Sequence, residues 1–165
     1  MSRVVLGLGT NIGERLQNLQ FAVDALRLVP DVRVTAVSPI YETAPVGFLD
    51  QPDFLNAVVL LETELSAMTV LGLCLGIEAA AGRVRRFRNG PRVLDMDVLL
   101  YEGVHSDTAE LTLPHPRMGE RGFVLVPLLD LFPSGEALGL RFGEALRAMD
   151  TSDVRKTTYN LDLED

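Results

Sequence analysis

Residues 88–101 read RNGPRVLDMDVLLY, where two acids interrupt a run of strand-forming apolar residues. Side chains alternate between the two faces of a strand, so one face is predicted to be wholly apolar: Leu94, Met96, Val98 and Leu100. The opposite face carries both acids: Val93, Asp95, Asp97, Leu99 and Tyr101. The Cα atoms of the two acids would lie about 6.6 to 7 Å apart, so both carboxylates could bind one cation or two adjacent ones. The alternative is the polar face of a half-exposed antiparallel strand.

A basic segment comes directly before this strand. Residues 83–92, RVRRFRNGPR, contain five arginines and no acid, and their Phe, Gly and Pro favour a flexible loop over a helix. Taken alone, this could be a solvated basic loop. Arginine binds phosphate oxygens bidentately, however, and carboxylates bind Mg²⁺. The two segments together therefore predict a site for a polyphosphate and a metal ion.

The composition is that of one ordinary globular domain over residues 1–165. Hydrophobic residues make up 47% of the chain and the net charge is -8, which argues against a nucleic-acid or anionic-membrane binder. The N-terminus lacks a secretory signal, so we expect a cytoplasmic protein whose mature chain starts here. Cys74, the only cysteine, is expected to be a core residue, and His105 and His115 are too few for a histidine zinc site.

The order of predicted elements indicates the fold class. A strand at RVVLGLG precedes a helix with apolar residues at helical spacing (Leu16, Leu19, Val23 and Leu26) and a stop at Pro30. Strands at DVRVTAVSPIY and FLNAVVLLET flank the loop ETAPVGFLDQPD, and Ser66 caps a second helix that ends at Gly82. With the strand of residues 88–101, this order predicts an α+β, ferredoxin-like βαββαβ domain with both helices on one face of an antiparallel sheet. A short strand at LTL, the loop PHPRMGER, a helical turn and a tail helix near GEALRAM follow.

The sequence supports neither of two common nucleotide-binding motifs. GLGTNIG spaces Gly7, Gly9 and Gly13 like a loose dinucleotide fingerprint, but the following strands do not form the parallel unit that this motif needs. We predict that the glycines serve packing or turns and that Thr10 or Asn11 caps the first helix. A Walker loop is excluded, because its GxxxxGK pattern is absent and Lys156 is the only lysine.

Four blocks in order carry a resemblance: LGLGTNIGERLQNLQFA, SPIYETAPVGFLDQPDFLNAV, GRVRRFRNGPRVLDMDVLLYEG and LTLPHPRMGERGFVLVPL. Together they resemble the 6-hydroxymethyl-7,8-dihydropterin pyrophosphokinase family over residues 5–133. The resemblance implies a ferredoxin-like fold, and transfer of the β,γ-diphosphate of ATP to the pterin hydroxymethyl group with release of AMP in folate biosynthesis. It also implies a monomer that acts on these two small molecules. Asn89 departs from the Trp that many members have there.

The resemblance also implies residue roles. Two Mg²⁺ ions would be held by Asp95 and Asp97, and the catalytic arginines would be Arg83 and Arg92. ATP would be bound by Glu78, Arg83, Arg85, Arg92, Val98, Thr112, His115 and Arg121. The pterin would stack between Phe54 and Phe123, and its polar groups would be bound by Thr43, Ala44, Val46, Asn56 and Asp95. The loops at residues 44–53 and 83–92 would close over both substrates.

The residues themselves support part of this set. Phe54 and Asn56 share a strand face, which suits a flat heterocycle with a polar rim, although Phe54 alone could be a core residue. His115 lies between two prolines, which predicts a rigid exposed turn and a ligand contact. Two other classes remain open: a ferredoxin-like regulatory module that binds a nucleotide without forming AMP, and a nicotinamide-dependent oxidoreductase.

Overall fold

The computed structural model describes residues 1–82 and 90–164. The predictions for Arg83, Arg85 and Asn89 lie outside these residues. The first seven elements in chain order are β1 (Ser2–Thr10), α1 (Arg15–Arg27), β2 (Val32–Val37), β3 (Tyr41–Thr43), β4 (Phe54–Thr63), α2 (Ala67–Ala80) and β5 (Asp95–Tyr101). The remainder comprises β6 (Ser106–Asp107), β7 (Thr112–Leu113), the 3-10 helix η1 (Met118–Glu120), α3 (Gly122–Leu131), β8 (Glu136–Ala137), β9 (Leu140–Arg141), α4 (Gly143–Ala148) and β10 (Arg155–Lys156).

One antiparallel sheet organises the domain. Its strand order is β10-β3-β4-β1-β5, with β2 also beside β4. The predicted α+β, ferredoxin-like arrangement is thereby confirmed. The strand predicted at DVRVTAVSPIY ends at Val37, because Pro39 cannot donate a ladder hydrogen bond. Strand β3 then joins Tyr41 to Glu42 and Thr43, so the predicted loop ETAPVGFLDQPD begins two residues too early. Ser38 bridges the break: its backbone N–H donates to Val58 O at 2.9 Å, and its hydroxyl accepts from Val58 N at 2.8 Å.

The two long helices cover one face of the sheet. The buried side of α1 is Leu19, Ala22, Val23 and Leu26, which agrees with the predicted apolar spacing. At the start of α2, Ser66 accepts a hydrogen bond from Thr69 N, and Gly82 follows the helix with a φ of +87°, so both predicted ends are confirmed. Cys74 is buried in this core, as predicted. No helix among residues 1–82 and 90–164 is long and apolar enough to cross a membrane.

The opposite face is covered only in part. A second apolar cluster joins the sheet to η1, α3 and α4 through Met118, Leu125, Leu128 and Phe142. The predicted helical turn near GFVLVPLLDL is a ten-residue helix, α3. Because this cluster covers one end of the face, the other end stays open and forms the floor of a cavity.

A β-bulge changes the predicted faces of β5. Leu6 lies opposite Val98 and Val5 lies opposite Leu100, so Leu99 is an extra residue in the ladder. Met96 and Val98 face the helices, whereas Leu99 and Leu100 both belong to the second cluster. The prediction that Leu100 shares the face of Met96 and Val98 is therefore wrong.

Candidate active site

A cavity of about 610 Å³ lies on the open face of the sheet, a volume that suits a small-molecule site. The register of the neighbouring strands determines which residues form its floor. Gly9 lies opposite Asn56 on one side and Asp95 on the other, and Gly7 lies likewise between Val58 and Asp97. Directly opposed residues share a face. Gly9 therefore leaves open space between the β4 side chains and Asp95, whereas the place of a Cβ on Gly7 lies 3.3 Å from Leu99 Cδ1. The sequence did not reveal this role of Gly9.

The two acids line this cavity, and each lies near an arginine. Arg92 Nη1 is 3.6 Å from Asp95 Oδ2, and Arg121 Nη1 is 3.9 Å from Asp97 Oδ2. Burial, and next the negative charge of Asp95, raise the pKa of Asp97 to about 7, while Arg121 acts in the opposite direction. Because burial and a neighbouring carboxylate disfavour the charged form of Asp97, a cation bound between the two acids would favour that charged form.

The donor set fits Mg²⁺ bound together with a phosphate substrate. Carboxylate oxygens are the ligands that Mg²⁺ prefers, and it is commonly held by one or two carboxylates plus substrate phosphates. Within residues 1–82 and 90–164 no group of three or more His, Cys, Asp or Glu side chains could form a metal site by itself. Asp95 and Asp97 therefore suit an ion whose remaining ligands come from substrate and water.

The aromatic half of the cavity lies beside the acids. All six residues expected to contact only the pterin line it: Thr43, Ala44, Val46, Phe54, Asn56 and Phe123. Asn56 is 5% exposed and donates from Nδ2 to Thr43 Oγ1 at 2.9 Å, which fixes its amide. Its Oδ1 is 3.4 Å from the point where a Cβ on Gly9 would stand, so the acceptor is directed toward the open floor. The Arg121 guanidinium lies 5.5 Å from the centre of the Phe123 ring.

Four residues of the expected ATP set do not line the cavity. Val98 belongs to the helix-side core. Glu78 is 4% exposed and accepts from Met96 N at 2.7 Å, which supports β5 from the helix side. Thr112 pairs with Asp107 between β6 and β7. Only Arg92 and Arg121 of this set line the cavity among the residues that the structure describes.

His115, the fourth of these residues, is partly buried, so the prediction of an exposed position is wrong. Its backbone N–H donates to Leu99 O at 2.9 Å, and its Nδ1 accepts from Arg117 N at 3.2 Å. Burial and the charge of Arg121 lower the pKa of the imidazole. The histidine therefore stays neutral near pH 7 and supports the turn that carries Arg117.

Several lining residues were not found from the sequence. Arg117 lies in the block LTLPHPRMGERGFVLVPL, and its positive charge two residues after His115 was the available signal. Four others come from the chain after α4: Met149, Asp150, Asp153 and Val154. No local pattern marks these tail residues, because only the tertiary fold brings them to the cavity.

Asn11 connects the loops around the cavity. The prediction that Thr10 or Asn11 caps α1 is wrong, since Glu14 stands at the cap position and makes no side-chain cap. Asn11 is 1% exposed; its Nδ2 donates to Gln51 Oε1 and Pro52 O, both at 2.9 Å, and its Oδ1 accepts from Arg92 N at 2.8 Å. One amide thus joins the 44–53 loop to the residue that pairs with Asp95.

Replacing Asn11 by alanine is expected to lower kcat/KM at least about 10-fold and the free energy of unfolding by about 2 kcal/mol, because buried hydrogen-bond partners lose their bonds. Asn18→Ala is the matched control, since the bonds of Asn18 Nδ2 within the described part of the chain go to Thr10 Oγ1 and Ile12 O near its own loop. Steady-state kinetics and urea unfolding check both variants. Equal activity losses in the two would show that Asn11 acts through stability alone.

Comparison with known proteins gives a consistent result. A sequence model of the 7,8-dihydro-6-hydroxymethylpterin-pyrophosphokinase (HPPK) family matches residues 5–133. A relative named 2-amino-4-hydroxy-6-hydroxymethyldihydropteridine pyrophosphokinase, from Methylorubrum extorquens, is 47% identical over 156 residues, which cover 94% of this chain and 99% of the relative. A protein of the same name from Pseudomonas aeruginosa is 44% identical over 133 residues, covering 81% and 82%.

Solved structures agree on the fold. A crystal structure of HPPK-DHPS in complex with substrates has a TM-score of 0.67 at 13% identity and covers 89% of this chain. Wild-type HPPK-DHPS from Plasmodium falciparum has a TM-score of 0.65 at 14% identity, with the same coverage. This chain spans 43% of the length of each of those two chains. At such low identity the likeness concerns the fold alone.

Proposed function

The chain belongs to the 7,8-dihydro-6-hydroxymethylpterin-pyrophosphokinase family, and from this premise we propose how its cavity carries out the family's reaction. The β,γ-diphosphate of ATP is transferred to the hydroxymethyl group of 6-hydroxymethyl-7,8-dihydropterin in folate biosynthesis, giving AMP and the pterin diphosphate. One observation carries the proposal: a flat aromatic compartment with a fixed amide adjoins a paired-acid compartment with arginines, in one cavity. The first suits a pterin ring and the second a metal-bound polyphosphate.

The pterin compartment supplies stacking and polar recognition. Phe54 and Phe123 offer apolar ring surfaces to the heterocycle. The fixed Asn56 amide presents Oδ1 as an acceptor for the N–H groups of the ring edge. Backbone groups of Thr43, Ala44 and Val46 complete the polar rim. Burying a planar substrate in this way fixes its hydroxymethyl group relative to the acids on β5.

The phosphate compartment supplies charge. Asp95 and Asp97 would hold two Mg²⁺ ions, which when bound would supply charge neutralisation and alignment of the triphosphate and would favour loss of the hydroxyl proton. Arg92 and Arg121 lie beside the acids and bind phosphate oxygens. Arg83 acts with Arg92 as a catalytic arginine and Arg85 helps to bind ATP, as the family resemblance implies. Glu78, Val98, Thr112 and His115 act indirectly or through the backbone.

The reaction is an in-line displacement at the β-phosphorus. The substrate hydroxyl oxygen forms a bond to that phosphorus and loses its proton, while the bond between the phosphorus and the oxygen bridging to the α-phosphate breaks, so that AMP leaves. Arg92 neutralises charge that develops on the transferred group. The 44–53 loop and the 83–92 loop exclude water when both substrates are bound. We also propose that residues 1–165 form one domain that acts as a cytoplasmic monomer.

Arg92→Ala is expected to lower kcat by about 100-fold and to weaken ATP binding by less than about 10-fold, because its contact strengthens at the transition state. The Arg92 backbone stays attached to Asn11 in the variant, which preserves the start of β5. Steady-state kinetics and calorimetric titration with ATP separate the two effects. Arg33→Ala, which removes an exposed partner of Glu62, is the control. A change confined to KM would contradict this role.

The activity itself is tested by mixing the protein with ATP, Mg²⁺ and the hydroxymethyl dihydropterin and measuring nucleotide and pterin products by chromatography. AMP should form in a one-to-one ratio with pterin diphosphate. A regulatory module would bind nucleotide without forming AMP, and an oxidoreductase would require a nicotinamide cofactor. Formation of ADP, or of no nucleotide product, would reject the proposal.

A further inference from the structure

The chain after α4 returns to the cavity. The family match ends at residue 133, yet Met149, Asp150, Asp153 and Val154 line the cavity. The segment then continues as β10, which pairs with β3: Arg155 lies opposite Glu42 and Lys156 opposite Tyr41. Residues 149–157, here called the tail segment, therefore form part of the cavity wall and the edge of the sheet.

On one side the tail segment packs against the beginning of α3. A Cβ on Gly122 would lie 3.2 Å from Val154 Cγ2 and 3.6 Å from both Met149 Sδ and Thr151 Cγ2. The contact is thus close enough that only glycine fits without displacement at this point. Gly122 immediately precedes Phe123, one of the two rings of the pterin compartment. The tail segment consequently supports the position of that ring.

On the other side the tail segment reaches the 44–53 loop. Arg155 Nη2 is 2.9 Å from Asp53 Oδ2 and 3.7 Å from Glu42 Oε1. Glu42 directly precedes Thr43, and Asp53 directly precedes Phe54. One guanidinium therefore contacts both ends of the loop, at the residues next to the pterin compartment.

A second arginine joins the same two ends from the helix side. Arg15 Nη1 is 2.6 Å from Glu42 Oε2 and donates to Asp53 O at 3.0 Å. Arg15 is 27% exposed and Arg155 is 56% exposed, so Arg155 is the more accessible partner. The β3–β4 ladder already pairs Thr43 with Phe54 and keeps the loop ends together. Without these cations the carboxylates of Glu42 and Asp53 would repel one another and displace the residues next to them.

We propose that Arg155 is a positioning residue for the pterin compartment: it holds the Glu42 and Asp53 carboxylates, so that the neighbouring Thr43 and Phe54 keep their orientation toward the pterin. The inference rests on the proposed function. It assigns part of substrate recognition to the tail segment, outside the residues of the family match. Among residues 1–82 and 90–164, the ion pairs of Arg155 go to Glu42 and Asp53 and not to the phosphate compartment, so ATP binding should not depend on it.

Arg155→Ala is expected to raise the Kd and the KM for the pterin about 3- to 10-fold, the range set by two partly exposed ion pairs. The Kd for α,β-methylene-ATP, whose bridge cannot be cleaved, should change less than about 2-fold. Calorimetric titration measures both Kd values without turnover. Arg141→Ala, which removes an exposed partner of Glu136 3.9 Å away, is the matched control and should change neither.

Two further variants separate positioning from a general loss of stability. Arg155→Lys retains one cation and should recover part of the pterin affinity. Asp53→Asn combined with Arg155→Ala should weaken pterin binding by less than the product of the two single effects, because both disrupt one interaction. Unchanged pterin affinity in Arg155→Ala, or an equal loss for pterin and nucleotide, would overturn the inference. Absence of AMP formation by the unmodified protein would instead reject the proposed function.

Discussion

Asp97→Asn is expected to lower kcat at least about 1,000-fold, more than the loss of a single transition-state hydrogen-bond donor costs. The substitution keeps the shape of the side chain but removes the charge through which it would bind Mg²⁺. Asp95→Asn is expected to act similarly, because both carboxylates line the same compartment. Asp107→Asn, on the exposed strand β6, is the control and should retain full activity.

The same substitution is expected to stabilise the metal-free protein at pH 8. The pKa of Asp97 is about 7 in the folded state against an ordinary value of 3.8, so the folded state binds more protons between these values. The free energy of unfolding therefore falls as the pH rises through this window. Asparagine does not ionise, so the free energy of unfolding of the variant does not fall for this reason. Because the Asp97 side chain is still 35% exposed, the expected gain is about 1 kcal/mol rather than the full effect of the shift.

Thermal unfolding in a chelating buffer at several pH values measures this effect. The Tm of Asp97→Asn should exceed that of the unmodified protein at pH 8, and the difference should shrink as the pH is lowered toward 5. The Tm series also shows whether an inactive variant is folded, which separates loss of the metal site from loss of the fold. Near-normal turnover in either acid variant would contradict the metal assignment.

Gly9→Val is expected to weaken pterin binding on the order of 100-fold, because its methyl groups would occupy the cavity floor. The new Cβ would lie 3.4 Å from Asn56 Oδ1 and 3.9 Å from Phe54 Cδ1, at the predicted place of the ring. Valine suits a strand and Gly9 has no backbone angle that requires glycine, so the fold should be retained.

Calorimetric titration with the pterin and with α,β-methylene-ATP distinguishes a blocked pterin compartment from a damaged site. Nucleotide affinity should change less than about 3-fold, and Gly9→Ala should show an intermediate loss of pterin affinity. Gly76→Val, at an exposed helix position where a Cβ meets nothing within 4 Å, is the control. Equal pterin affinity in Gly9→Val and the unmodified protein would show that the ring binds elsewhere.

Much of the fold could be predicted because local chemistry determines it. The strand at Phe54–Thr63 and the Ser66 cap agree with the prediction, since apolar alternation and capping are properties of neighbouring residues. The bulge at Leu99 could not be read from alternation, because it arises from how β5 pairs with β1. The break at Pro39 had a signal in the sequence, namely a residue without an N–H inside a predicted strand.

In the site, too, only the features that depend on neighbouring residues could be predicted from the sequence. Asp95 and Asp97, and likewise Phe54 and Asn56, are two residues apart on single strands, so period-two alternation places each pair on one face. The role of Asn11 was missed because its partners lie 40 to 81 residues away in sequence. Arg155 was missed for the same reason, since its contact to Asp53 spans 102 residues. Contacts of this range follow from the assembled fold and leave no local pattern.

In the proposed reaction both terminal phosphates of ATP move together to the pterin. The direct measurement uses ATP with radioactive phosphorus at either the β or the γ position, incubated with the protein, Mg²⁺ and the hydroxymethyl dihydropterin. Both labels should appear in the pterin product in equal amounts, with AMP unlabelled. Transfer of the γ label alone, with the β label left in ADP, would contradict the claim.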